Sequence, residues 1–138
     1  CKASPAPYFD LDEEYSMQEQ VRTLIQDGLI RSAHDVSDGG LFVCLAESAM
    51  AGNKGFQLAI PASVRKDAFL FGEGQGRVVV TVRPEQQESF EGAFKDTVVP
   101  CQYLGSVVGN AFQIDGKIWV TLGEAKKLYT ATLASFLS

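Results

Sequence analysis

FQIDGKIWVTL, residues 112–122, decides how the rest of the chain is read. Two β-prone runs flank Asp115-Gly116, a pair that tolerates the positive φ angles a two-residue hairpin turn demands. Two neighbouring strands are therefore antiparallel. Upstream, strand-like and helix-like segments interleave, so the sheet is expected to be mixed or antiparallel with helices packed on it: an α+β fold.

After the hairpin, the periodicity predicts a last helix over 123–137, with Ala125, Leu128, Tyr129, Thr132, Leu133 and Phe136 on one stripe. Before it, CQYLGSVVG reads as a strand, and Pro84 opens a helix with Phe90, Ala93 and Phe94 as core contacts. RVVVTV, 77–82, is a β-branched run of the kind found in a central strand covered on both faces. GFQLAI, 55–60, is a strand closed by Pro61, followed by a helical turn around Val64 to Leu70.

Nearer the start, Asp10 and Glu13 have capping-box spacing. The helix behind them puts Tyr15, Met17, Val21, Leu24 and Ile25 on one face and stops at Gly28. Leu29 to Ala33 reads as a short strand. A second helix, from Gly40 to Ala51, stops at Gly52, and Glu47 is its only charge, which suggests burial on more than one side.

At 138 residues the chain suits one domain with a real hydrophobic core. Residues 1–10 read as a linker from a preceding domain and 11–138 as the domain itself; with no initiator methionine, the chain reads as a piece of something larger. A net charge of −5 without any Lys/Arg cluster removes the basic footprint of a nucleic-acid binder. No apolar run approaches the roughly 18 residues of a membrane span, and CKASPAPYFD is no signal peptide. The cysteines, Cys1, Cys44 and Cys101, are odd in number and form no CxxC pair, so a cytoplasmic protein with free thiols is expected, Cys44 being a core residue.

Two stretches carry candidate chemistry. In HDVSDGG, 34–40, Ser37 or Asp38 can cap the second helix, and Gly39-Gly40 let the chain turn tightly into it. Capping leaves His34-Asp35 unexplained. A strand leading into a helix start also receives anions well, and a carboxylate beside it can hold Mg²⁺ against phosphate oxygens. The stretch is no EF-hand, because Gly39 and Ala46 stand where ligands belong. One histidine and scattered cysteines build no zinc site, and no nucleophile–base pairing supports a triad. In GEGQGR, 72–77, the glycines let backbone amides approach an anion, and Arg77 can pair with phosphate or carboxylate. It is neither a Walker loop nor a dinucleotide fingerprint.

Taken in order, SPAPYFDLDEEY, GLIRSAHDVSDGGLFVCLAESAMAG and LFGEGQGRVVVTV resemble the C-terminal domain of the aminoimidazole ribonucleotide synthetase superfamily. Within it, the likeness is to the phosphoribosylformylglycinamidine synthase family, large (synthetase) subunit. The resemblance implies an ATP-dependent ligase of purine biosynthesis using Mg²⁺. It also implies packing against N-terminal domains of the same chain and partnership with glutaminase and small subunits. By motif, Asp35 takes the metal-ligand position, and Glu73, Gly74 and Gln75, with His34, the substrate-contacting one. Ser37, Asp38, Gly39, Gly40 and Arg77 are expected on the nucleotide phosphates. Gly74 and Gly76 stand where the family often has serine, and the linker implies the second copy of the domain, which flanks an auxiliary nucleotide pocket. Two further readings are another enzyme of the superfamily and a non-catalytic subunit-docking module.

Overall fold

The computed structural model describes residues 8–136, with side chains described through residue 131; Cys1 and the first part of the expected linker lie outside it. Helix α1, Leu11–Gln26, starts where the Asp10 carboxylate accepts hydrogen bonds from the Asp12 and Glu13 amides, each at 3.0 Å. It ends in a Schellman motif. Gly28, at φ 69°, donates its amide to the Ile25 carbonyl at 3.0 Å, and the Leu29 amide donates to the Leu24 carbonyl at 3.0 Å. Leu29 is thus consumed by the helix end. The first strand, β1, is Ser32–Asp35 rather than Leu29–Ala33, and it includes His34 and Asp35.

Helix α2 runs over Gly40–Gly52. Its stop is one residue later than expected: Asn53, not Gly52, takes the left-handed position at φ 52°, and the Lys54 amide reaches back to the Ala49 carbonyl at 3.0 Å. Asn is the residue that best replaces glycine there, its short polar side chain tolerating positive φ.

The chain divides into two compact units. One combines the stretch up to Gly40 with Glu73–Gln102; the other combines Leu41–Gly72 with the stretch from Tyr103 onward.

The first unit holds α1, β1 and β3 (Val78–Thr81), with a 3-10 turn at Pro84–Gln86 leading into α4 (Gln87–Gly92). β1 pairs antiparallel with β3, Ser32 opposite Thr81 and Asp35 opposite Val78. Here the reading of RVVVTV is corrected. Among the described residues β3 has β1 as its only strand neighbour, and its side chains are half-buried rather than enclosed. Branched side chains report a fit to a pleated, partly covered surface and do not count neighbouring strands. Phe90 is buried with its ring 5.2 Å from that of Phe94, as the sequence suggested. Side-chain amides tie the connections down, Gln20 donating to the Ala93 carbonyl and Gln86 to that of Gly28.

The second unit holds the rest of α2, β2 (Gly55–Leu58), α3 (Lys66–Phe71), β4 (Gly105–Val108), β5 (Ala111–Ile114), β6 (Lys117–Thr121) and α5 (Leu122–Phe136). Its sheet runs β4-β2-β5-β6, with β2 and β5 parallel and the other pairs antiparallel, so it is mixed. The hairpin turns at Asp115 and Gly116, φ 51° and 74°, as that dipeptide requires. Phe56 and Phe112 stack at 4.6 Å, and with Leu58, Ile114, Leu70 and Ala49 they form the core. Cys44 is buried, as its place in an apolar helix suggested.

The α5 stripe is covered less than its spacing implies. Leu122 and Ala125 pack on the core, whereas Leu128 and Tyr129 are exposed, because the helix meets this core along its first turn. The side chains of Thr132, Leu133 and Phe136 lie outside the described ones.

Candidate functional site

Antiparallel pairing of β1 with β3 places the end of one beside the beginning of the other. HDVSDGG starts with the last two residues of β1 and runs out of it, and EGQGR, 73–77, leads into β3, so two stretches far apart in sequence come to lie side by side within the first unit. Directly after the paired strands, the Val36 amide donates to the Arg77 carbonyl at 2.8 Å. Further out, the Gly39 amide donates to Glu73 Oε1 at 2.9 Å. Gly39 and Gly40, at φ 80° and 69°, bend the chain so that this amide faces the neighbouring loop. The Gly40 amide closes the turn on the Ser37 carbonyl at 3.0 Å.

His34 is oriented by its own neighbour. Its Nδ1 lies 2.7 Å from the Asp35 carbonyl oxygen, and since a carbonyl only accepts, Nδ1 carries the proton. The Asp35 carboxylate stands 3.8 Å from the same nitrogen, and its side chain is 80% exposed to solvent. Arg77 is half-buried, whereas Ser37, Asp38, Glu73, Gly74 and Gln75 are exposed. The structure therefore brings the residues singled out from the two motifs to one end of the β1–β3 pair, His34 and Asp35 on β1 itself, Gly40 at the start of α2 and the others in the turns beside them.

One participant escaped the sequence. Gly76, at φ 66°, has the Glu14 carboxylate of α1 against it, so close that a Cβ there would stand 2.9 Å from Glu14 Oε2. Gln18 holds Glu14 in place by donating to its Oε1 at 2.7 Å. Nothing in LDEEYSMQ marks Glu14 apart from any glutamate on an exposed helix face. Among the described residues of the two motifs, with Glu14 beside them, the carboxylates of Glu14, Asp35, Asp38 and Glu73 outnumber the fixed positive charge of Arg77. Among the described residues no three His, Cys, Asp or Glu side chains converge to hold a metal. An exposed carboxylate such as that of Asp35 is the kind of donor a hard cation takes singly when phosphate oxygens and water complete its shell.

The family model for AIR synthase related protein, C-terminal domain, matches residues 7–115, a span containing both loops. The phosphoribosylformylglycinamidine synthase subunit PurL of Salinibacter ruber is 44% identical over 124 residues, covering 88% of this chain and 16% of that protein. The same subunit of Alkaliphilus metalliredigens is 37% identical over 131 residues, covering 92% and 18%. Among solved structures, Thermotoga maritima PurL complexed with FGAR superposes with a TM-score of 0.74 at 17% identity, over 91% of this chain and 23% of that one. A thiamine-monophosphate kinase from Stenotrophomonas maltophilia gives 0.59 at 18% identity, over 82% and 42%. These likenesses carry the fold, and the α+β reading holds. The chain spans less than a fifth of the two curated relatives' length, 16% and 18%. A family match reaching from Pro7 to Asp115 and containing the joined loops settles the membership: this chain belongs to the AIR synthase related proteins, as their C-terminal domain.

Proposed function

We propose that the chain is the C-terminal domain of a phosphoribosylformylglycinamidine synthase large subunit, the ATP- and glutamine-dependent ligase that amidates formylglycinamide ribonucleotide in purine biosynthesis. The observation that supports it is the β1–β3 ladder, which draws HDVSDGG and GEGQGR into one loop pair inside the stretch 44% identical to a curated PurL. In that reaction ATP supplies a phosphoryl group to the amide oxygen, and ammonia then displaces phosphate. The protein's part is positioning and charge neutralisation.

On this reading Asp35 offers one carboxylate to Mg²⁺. Ser37, Asp38, Gly39, Gly40 and Arg77 face nucleotide phosphates, and His34, Gly74 and Gln75, with Glu73, face substrate. Residues 11–138 form the domain, its neighbours are the N-terminal domains of the same long chain, and glutaminase and small subunits complete a cytoplasmic complex. The bond between Gly39 and Glu73, and glycine at 74 and 76, favour the copy that lines an auxiliary nucleotide pocket over the one that performs the chemistry.

Asp35→Asn in the full-length enzyme tests the assignment through ammonia-dependent turnover and bound nucleotide. Retained turnover with less bound nucleotide is expected. Collapse of turnover with nucleotide content intact assigns the loop to the working site instead, and no change in either removes any ligand role.

A further inference from the structure

Glu73 and Gly39 stand out because a carboxylate from one loop sits on a backbone amide of the other, just ahead of α2. The Gly39 amide, turned outward by positive φ at Gly39 and Gly40, already has a carboxylate oxygen at 2.9 Å. That oxygen comes from the neighbouring loop, whose other end is fixed by the Val36–Arg77 backbone bond at 2.8 Å. Gly74, Gln75 and Gly76 are therefore held between two ties, one at each end. Asp35, Asp38 and Glu14 add negative charge around the same loops.

We propose that Glu73 is a positioning residue and the built-in anion of this loop pair: it holds the 73–77 loop against Gly39, and a phosphate reaching the Gly39 amide must first displace its carboxylate. In this resting form Glu73 is engaged with Gly39, so Gly74 and Gln75 meet a ligand first, and Glu73 turns to substrate only once that bond opens. The displacement rests on the phosphate reading given above; the tie itself does not. The consequence is a site with depressed phosphate affinity in its resting form, released when the 73–77 loop moves away.

Three variants of the full chain separate the terms. Glu73→Gln keeps an oxygen for the Gly39 amide but removes the charge, Glu73→Ala removes both, and Glu85→Gln removes the same charge from the 3-10 turn. Folding is checked by circular dichroism, the Gly39 amide by nitrogen-resolved NMR and hydrogen exchange, and affinity by titration with inorganic phosphate and with ATP. The expected result is a Gly39 amide protected in the parent and in Glu73→Gln but exposed in Glu73→Ala. Phosphate should bind about fivefold tighter to Glu73→Gln, the effect of removing one like charge at close range in a solvated site, and no tighter to Glu85→Gln. Unchanged exchange at Gly39 in Glu73→Ala overturns the tie. Equal or weaker phosphate binding by Glu73→Gln overturns the displacement. If none of the proteins binds phosphate or ATP while Gly39 responds, the phosphate reading of the loops fails, and the displacement with it.

Discussion

The Ile60 amide donates to Asp115 Oδ1 at 2.9 Å, joining the stretch just beyond β2 to the turn of the β5–β6 hairpin. The Asp115 amide also donates to the Leu58 carbonyl at 3.0 Å, and the Lys66 ammonium pairs with the second carboxylate oxygen. One residue thus turns the hairpin and fastens it to the parallel neighbour β2.

The Ile60 amide first, and then Lys66, hold the Asp115 carboxyl below its ordinary range. A depressed carboxylate stabilises the fold above its unfolded-state pKa of about 4, and that contribution is lost as pH falls through the lower folded value. Asp115→Asn keeps the turn, since asparagine accepts positive φ, but removes the charge. Thermal midpoints measured against pH should show the variant below the parent at pH 7, with the gap closing as the solution is acidified past the carboxylate range. A gap independent of pH would assign the loss to the turn.

Gly55 lies so close to β5 that a Cβ would stand 2.2 Å from the Ala111 carbonyl oxygen. The obstacle is backbone, which cannot swing aside. Gly55→Ala should therefore cost about 1–3 kcal/mol or more, read as a lowered urea midpoint at unchanged slope. Gly52→Ala, where nothing stands within 4 Å, should shift the midpoint far less.

Asp10 caps α1 by accepting two amides, from Asp12 and Glu13, both at 3.0 Å. Asp10→Ala should cost about 1 kcal/mol in chemical denaturation, and Asp10→Ser should recover most of it, because the serine hydroxyl accepts the same bonds.

Local features were the legible ones. The Asp10 cap, the Asp115-Gly116 turn and the α2 start follow from chemistry within a few residues, and each is found where the sequence places it. Boundaries shifted where two local rules competed. Leu29 and Ile30 look like strand, but the Schellman bond from the Leu29 amide claims the first of them. What reading along the chain could not supply was pairing. That β3 lies against β1, and that Glu73 therefore reaches Gly39 and Glu14 reaches Gly76, depends on which strands meet, and side-chain branching carries no such information. The candidate residues were legible as types; their assembly into one pair of loops was not.

The alternation of the chain between its two compact units limits how the protein can be inherited and dissected. The path leaves the first unit after Gly40, returns at Glu73 and leaves again after Gln102. Neither unit is a continuous segment of gene, so neither can be swapped between relatives by a single recombination event or excised with one pair of cuts. During synthesis, β1 leaves the ribosome before its partner β3, and the first unit cannot close until Gln102 has emerged. Evolution can edit the loops, but it must transmit the domain whole.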